Sequence, residues 1–264
     1  MSYPNPFVAT VDRYAAGRPY HHARTLRRAL AGIPAGTAVD VACGTGLSTR
    51  GLAEVGFAAV GVDVVPAMVA RARADTGLPY AVAAAEALPF AAGSVDLVTV
   101  GSGVHWFDQD RFAAEAARVL RPDGALLLYE HGGADLPAEP AFRDWMRGTY
   151  QARFPLPPRG VMATDVEGAG PFVPVWTGHW PDEVAMTRAR FVAYLLTQSN
   201  LADEPAEPVR AWLDAELAPF FPGDAARAVT FRASCRLLRR AGAERGPAAA
   251  PGAAAAACEG SASG

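Results

Sequence analysis

The stretch Asp40-Val41-Ala42-Cys43-Gly44-Thr45-Gly46 decides the fold. It ends the β-prone run Thr37-Ala38-Val39-Asp40-Val41 and leads into a helix-prone segment over 48–54, so it reads as a strand-to-helix turn. A turn this tight needs positive φ or close backbone approach, which glycine supplies and a side chain blocks. The amides at the start of the next helix hold a polar or anionic ligand group. Asp63, seventeen residues after Gly46, ends a second apolar run over 58–63. In nucleotide-binding sheets an acid there reaches a ribose diol. The glycine turn is a weak signal alone; joined to Asp63 it points to a nucleoside-bearing ligand. Capping or turn formation is the purely structural alternative for both aspartates.

Outward from the turn, short β-prone runs alternate with helical segments. A helix is expected over 66–75, a third strand over 79–83 and a fourth over 95–100. Asp108 is placed to cap a helix over 111–120, which Arg121-Pro122-Asp123-Gly124 stops before a fifth strand over 125–129. Such alternation builds βαβ units and a parallel sheet with helices on both faces. Residues 8–31 read as one or two helices broken at Gly17-Arg18-Pro19. Beyond Gly133 the pattern gives a helix over 141–153, strands over 172–180 and 228–238, and helices over 188–197 and 209–218 between them. From about Arg245 the alanine-, glycine- and proline-rich end reads as a flexible tail. The expected organisation is an N-terminal helical cap (1–36), a cofactor-binding core (37–135), a substrate-side cap with the last two strands (136–240) and the tail (241–264).

Composition narrows the function. The 264 residues are 51% hydrophobic and 19% charged with a net charge of −3, which argues against a nucleic-acid footprint. All 24 basic residues are arginine, so lysine Schiff-base and P-loop chemistry are excluded. No apolar run approaches the roughly 18–20 residues that span a bilayer, and the N-terminus lacks a charged region followed by an apolar one. Cys43, Cys235 and Cys258 are odd in number and widely spaced, suggesting neither disulfides nor a metal knuckle, and no metal is expected. The plain expectation is a cytoplasmic protein without membrane or nucleic-acid partners.

The dinucleotide fingerprint Gly-x-Gly-x-x-Gly is incomplete, because Gly44-x-Gly46 continues as Leu47-Ser48-Thr49. Asp40, four residues before Gly44, is also foreign to a pyrophosphate loop; it orients the turn or meets a ligand ammonium. A ligand with adenosine at one end and an amino acid at the other fits better than NAD.

Five segments in order carry a resemblance. They are 40–46, Gly61-Val62-Asp63, Ala85-Glu86-Ala87-Leu88-Pro89-Phe90, Ser94-Val95-Asp96-Leu97-Val98 and Val119-Leu120-Arg121-Pro122-Asp123-Gly124. Together, over roughly residues 37–130, they resemble the class I S-adenosylmethionine-dependent methyltransferases, in the branch that acts on small molecules. The resemblance implies a Rossmann-like, doubly wound α/β sheet of seven strands, order 3-2-1-4-5-7-6, with strand 7 antiparallel. His105-Trp106-Phe107 and Tyr14-Ala15-Ala16-Gly17-Arg18-Pro19-Tyr20 are similar to the trans-aconitate methyltransferase branch. Two departures stand out: Ala42 occupies a usual glycine, and Ala84 occupies a usual aspartate that binds the adenine amine.

The resemblance places Tyr14, Arg18, Asp40, Ala42, Cys43, Gly44, Gly46, Asp63, Val64, Met68, Ala85, Glu86 and Gly101 at S-adenosylmethionine. Cys43 is read as a small side chain rather than a catalytic thiol, and Met68 as either packing or touching adenine. His105 and His131 follow the fourth and fifth strands, at the rim where open α/β sheets bind ligands. Each is a candidate base or acceptor-positioning group, with a structural histidine as the alternative. His21, His22 and His179 are expected to face solvent. Trp106, Tyr150 and Trp176 are candidate acceptor contacts. The expected reaction is O-methylation of a small carboxylate or hydroxyl in secondary metabolism. The alternatives are a non-methylating S-adenosylmethionine-binding protein of this fold and an NAD-dependent oxidoreductase.

Overall fold

The computed structural model describes residues 10–156 and 170–241. The chain begins with helices α1 (Val11–Gly17) and α2 (His22–Ala29), broken at Arg18-Pro19 as the sequence indicates. The alternating core follows: β1 (Thr37–Val41), α3 (Leu47–Glu54), β2 (Ala58–Asp63), α4 (Pro66–Thr76), β3 (Tyr80–Val82), β4 (Val95–Gly101) and α5 (Gln109–Val119). The remaining elements are β5 (Leu120–Asp135), α6 (Pro140–Trp145), α7 (Gln151–Arg153), β6 (Phe172–Met186), α8 (Arg188–Leu195), α9 (Ala206–Leu217) and β7 (Arg227–Arg240). A π turn, Met146–Tyr150, joins α6 to α7, so the expected helix over 141–153 is continuous but locally widened. The proposed tail lies outside the described residues.

The seven strands form one sheet in the order β3-β2-β1-β4-β5-β7-β6, as the resemblance implied. The pairs β1–β2, β1–β4, β2–β3 and β4–β5 are parallel. Every β1 residue except Thr37 is buried, the signature of a strand covered on both faces. β5 and β6 run well beyond their sequence limits: β5, expected over 125–129, continues through Glu130-His131-Gly132-Gly133 to Asp135, and β6, expected to end at 180, continues to Met186. Ladder pairing, invisible locally, keeps these polar and glycine-containing stretches extended. The register of β4 against β5 slips between Val95↔Leu120 and Leu97↔Ala125, so 121–124 bulge opposite Asp96.

The described residues fall into two compact units. The first contains 22–130, 170–179 and 234–241; the second contains 10–21, 131–156 and 180–233. In the first, Val39, Val41, Val98, Val100, Leu126 and Leu128 form a core with Phe112, Ala113 and Ala116 of α5. Asp108 caps α5, its carboxylate accepting from the Arg111 amide at 3.2 Å. Glu115 of that helix accepts from the Leu88 amide at 2.7 Å, and Arg118 donates to the Leu88 and Phe90 carbonyls, which fixes the loop carrying Ala85 and Glu86. The second unit has an aromatic core built on Phe142, Trp145, Tyr150, Phe191, Phe221 and Phe231. The Trp145 indole donates to Glu216 at 2.9 Å, so its polar edge is satisfied.

Candidate active site

β1 sits where the chain reverses its direction of growth, with β2 and β3 on one side and β4 and β5 on the other. The crevice beyond the carboxyl ends of β1 and β4 is therefore the topological switch point, where open α/β sheets bind ligands. The turns leaving these strands meet there: a Cβ on Gly103 would stand 2.7 Å from the Ala42 Cβ. Among the described residues, Ala42 (φ 56°) and Ser102 (φ 59°) are the two non-glycines with left-handed backbone, one in each turn. A left-handed L-residue costs roughly 1–2 kcal/mol, and such strain concentrates at functional sites.

Two buried aspartates hold the β1 turn. Asp40 is fully enclosed. Its Oδ2 accepts from the Ser48 and Thr49 hydroxyls, each at 2.6 Å, and its Oδ1 accepts from Thr99 at 3.2 Å. It thereby ties β1 to the first turn of α3 and to β4. Burial pushes its carboxyl up to about 6; the three hydroxyls oppose the rise and the nearby Asp63 charge adds to it. The sequence reading found Asp40 but missed the three hydroxyl partners. Thr99, polar within the apolar run Val95–Gly101, was the available signal.

Asp63, at the end of β2, accepts from the Gly44 amide at 2.9 Å through Oδ2 and from the Val65 amide at 2.9 Å through Oδ1. Burial raises its carboxyl, and the backbone amides of Val65, Gly44 and Val64 oppose this. Gly46 (φ 84°) opens α3, and a Cβ there would collide with the Tyr80 hydroxyl. A Cβ on Gly61 would strike the Tyr80 ring, so the second strand can pass this residue only as glycine. The Cys43 thiol is buried and pushed upward by burial, reinforced by the charges of Asp40 and Asp63. It is no nucleophile.

The other expected contacts divide by unit. In the first unit, Val64 and Val82 are exposed (59% and 50%) at the carboxyl ends of β2 and β3, whereas Met68 and Ala85 are buried. Glu86 accepts from the Asp108 amide at 2.9 Å, linking its loop to the start of α5. A Cβ on Gly101 would approach the Tyr129 hydroxyl to 2.8 Å, and that hydroxyl lies 2.9 Å from His22 Nδ1. His105 is half-buried in a 3-10 turn, Val104–Trp106, its ring 4.9 Å from that of Trp106. Trp176 is half-buried on β6.

In the second unit, the Arg18 guanidinium stacks 4.7 Å from the Tyr14 ring centroid and reaches the Thr197 carbonyl at 3.4 Å. Tyr150 lies within the aromatic core, with its hydroxyl pushed up to about 12 by burial. His131 is not an open rim residue: its ring stacks on His21 at 3.6 Å, and its Nε2 lies 3.6 Å from Asp182. The expectation that His21 faces solvent is corrected by this packing, since His21 is 7% exposed. His22 is half-buried, whereas His179 is exposed as expected. Both depend on tertiary neighbours far along the chain, Tyr129 for one and Ser234 for the other.

The strand order and the turn at the switch point define the class: a Rossmann-like methyltransferase fold. Residues 39–128 match the family model of a methyltransferase domain. Over 125 residues the chain is 39% identical to an uncharacterized methyltransferase of Mycobacterium tuberculosis, covering 46% of this chain and 50% of that protein. Over 140 residues it is 39% identical to the 2-methyl-6-phytyl-1,4-hydroquinone methyltransferase of Synechocystis, covering 50% of this chain and 44% of that one. The chain thus spans about half the length of these curated relatives. A solved structure from Anaeromyxobacter dehalogenans, described as a candidate type II methyltransferase, superposes with a TM-score of 0.70 at 28% identity, over 84% of this chain and 97% of that one. Among the described residues no helix is long and apolar enough to cross a membrane.

Proposed function

We propose that this chain is an S-adenosylmethionine-dependent methyltransferase acting on a small molecule in the cytoplasm. The observation that carries the reading is Asp63 closing on the Gly44 amide beside the switch-point crevice, within the stretch that matches the methyltransferase domain model. The donor set fits the cofactor. An acid at the end of β2 suits a ribose diol, and the exposed Val64 and Val82 beside it suit the apolar face of an adenine. Asp40 acts from beneath the turn, holding the start of α3 so that its amides face the crevice. The same packing disfavours a dinucleotide, because the position of the third fingerprint glycine is Thr49, which is fully buried and bonded to Asp40.

Bound S-adenosylmethionine supplies a sulfonium methyl for in-line displacement. The residues around it have to align the acceptor, and near-attack positioning contributes roughly 7–11 kcal/mol to such reactions. His105, half-buried beyond β4, is the residue we assign to the acceptor side. A carboxylate acceptor is ionised at neutral pH and needs no base, whereas a hydroxyl passes its proton to His105. His131 is withdrawn from that role in this reading because its Nε2 faces the buried Asp182. The segment 105–107 favours the trans-aconitate-like branch, hence O-methylation of a small acid in secondary metabolism. The hydroquinone-methylating relative favours a second reading, in which the acceptor is a hydroxylated aromatic ring.

Thermal denaturation with S-adenosylmethionine, S-adenosylhomocysteine, NAD and NADP tests the cofactor. A ligand at a hundred times its Kd stabilises the native state by about 2.7 kcal/mol. The reading expects this shift from the first two compounds, and a shift from the nicotinamide nucleotides alone defeats it. Release of S-adenosylhomocysteine with a panel of small carboxylic acids and phenols then separates methyl transfer from a non-methylating use of the cofactor. On a hydroxyl acceptor, H105Q lowers kcat by roughly 10²–10⁴-fold; an unchanged kcat removes the base assignment.

A further inference from the structure

We propose that Tyr80, which lies outside the set of residues the resemblance placed at the cofactor, is a positioning residue for S-adenosylmethionine: its ring and hydroxyl fix the start of α3 against β2. This role rests on the reading that S-adenosylmethionine binds in the crevice. Tyr80 opens β3 and pairs with Gly61 of β2, in a parallel register that also sets Val82 beside Asp63. Because Gly61 has no side chain, the ring can lie across β2 and reach the turn that follows β1. A Cβ on Gly61 would collide with the ring and stand 2.8 Å from the Thr49 hydroxyl, and a Cβ on Gly46 would collide with the phenol oxygen. One side chain thus packs against both Gly46, where α3 begins, and Gly61, two residues before Asp63. Tyr80 is 6% exposed and shares a compact cluster with Cys43, Val69 and Ala72. The turn itself is bonded to β2 through the Cys43 amide, which donates to the Val62 carbonyl at 3.0 Å, and the Gly44 amide, which donates to Asp63 at 2.9 Å. Tyr80 is the wedge that sets how far Gly46 stands from that same strand.

The direction of the hydroxyl follows from counting protons. The Thr76 hydroxyl carries one, and it goes to the Ala72 carbonyl at 2.8 Å. Thr76 Oγ1 therefore accepts from the Tyr80 phenol at 2.8 Å, as it does from the Leu78 amide at 3.2 Å. Burial raises the phenol above its ordinary value, opposed by the Thr76 and Thr49 hydroxyls, so it remains a donor at neutral pH. Arg73 of α4 donates to the Tyr80 carbonyl at 2.5 Å. Backbone and phenol are both tied to α4, and a ring held at both ends cannot tilt away from Gly46. Removing the hydroxyl while keeping the ring releases one of these ties. The first movement then falls at the start of α3, whose amides face the crevice.

The test measures S-adenosylhomocysteine binding to the full chain by calorimetry at pH 7, with urea denaturation of each variant alongside. The wild type binds, and Y80F raises the Kd about 3–10-fold, a factor no larger than one hydrogen bond supplies. T76V, which keeps the phenol and takes away its acceptor, raises the Kd by a similar factor. The double variant Y80F/T76V raises it no further than either alone, because both remove the same bond. L78A trims the same cluster from the loop after α4, lowers stability in urea and leaves the Kd unchanged. An unchanged Kd in folded Y80F overturns the proposal. So does an affinity loss in L78A equal to that in Y80F, which reduces Tyr80 to core filling. If Y80F does not fold, T76V carries the test, and an unchanged Kd there overturns the proposal as well. A wild type that binds neither S-adenosylhomocysteine nor S-adenosylmethionine defeats the cofactor reading itself, and this role with it.

Discussion

Replacing Asp40 by asparagine should make this protein more stable at neutral pH than at pH 4, relative to the wild type. Asp40 is fully enclosed, its carboxyl raised chiefly by burial to about 6 from the ordinary 3.8. Below pH 3.8 the acid is protonated in both native and unfolded chains and costs nothing. Between 3.8 and about 6 the native state holds a proton that the unfolded chain has released, so stability falls as pH rises. Above that window both forms are ionised and the loss is complete. At 1.36 kcal/mol per pH unit, the loss comes to about 3 kcal/mol. Asparagine resembles the neutral acid in shape, and the Ser48, Thr49 and Thr99 hydroxyls can each donate or accept, so the network can re-form around it. Urea denaturation of wild type and D40N at pH 4, 5, 6 and 7, with equal m-values, measures the difference. The expected curve has the wild type losing about 2.4 kcal/mol against the variant between pH 4 and 7, the rest of the loss falling below pH 4. A difference that stays flat, or that grows in favour of the wild type with pH, refutes the enclosed, poorly solvated carboxylate. The Asp63 charge adds to the rise, so in the D63N background the window should shift to lower pH.

Three further outcomes follow from the site. A42G removes a left-handed alanine worth roughly 1–2 kcal/mol of strain and adds glycine's unfolded-state entropy of roughly 0.5–1 kcal/mol, so urea denaturation should show a gain of up to about 1.5 kcal/mol; a loss disproves the strain. D63N exchanges one acceptor oxygen for a donor facing the Gly44 or Val65 amide. Calorimetry should find S-adenosylmethionine binding weakened roughly 10–100-fold, the 1.5–3 kcal/mol of a hydrogen bond to a charged group, and unchanged affinity removes Asp63 from the site. D108A deletes the α5 cap and should cost about 1 kcal/mol, seen as a Tm lower by about 2–4 °C; an unaltered Tm means the cap carries no weight.

What the linear chain determined by itself is the alternating core. The strands at 37–41 and 58–63, the helix after Pro66 and the cap at Asp108 follow from apolar periodicity and turn chemistry, which act over a few residues. The incomplete glycine fingerprint and the acid at Asp63 are equally local signals, and they point to a nucleoside-bearing ligand without any knowledge of strand pairing. Only the tertiary structure decided the rest. The length of β5 and β6 depends on ladder partners, not on the glycines and prolines inside them. That Asp40 is sealed by Ser48, Thr49 and Thr99, and that Ala42 and Ser102 are both held left-handed, depends on β1 and β4 lying side by side although 59 residues separate Asp40 from Thr99. His21, His131 and Asp182 lie far apart along the sequence, and each looks ordinary where it stands. Their burial around one carboxylate arises because folding brings distant backbone together, and no local periodicity records that closure.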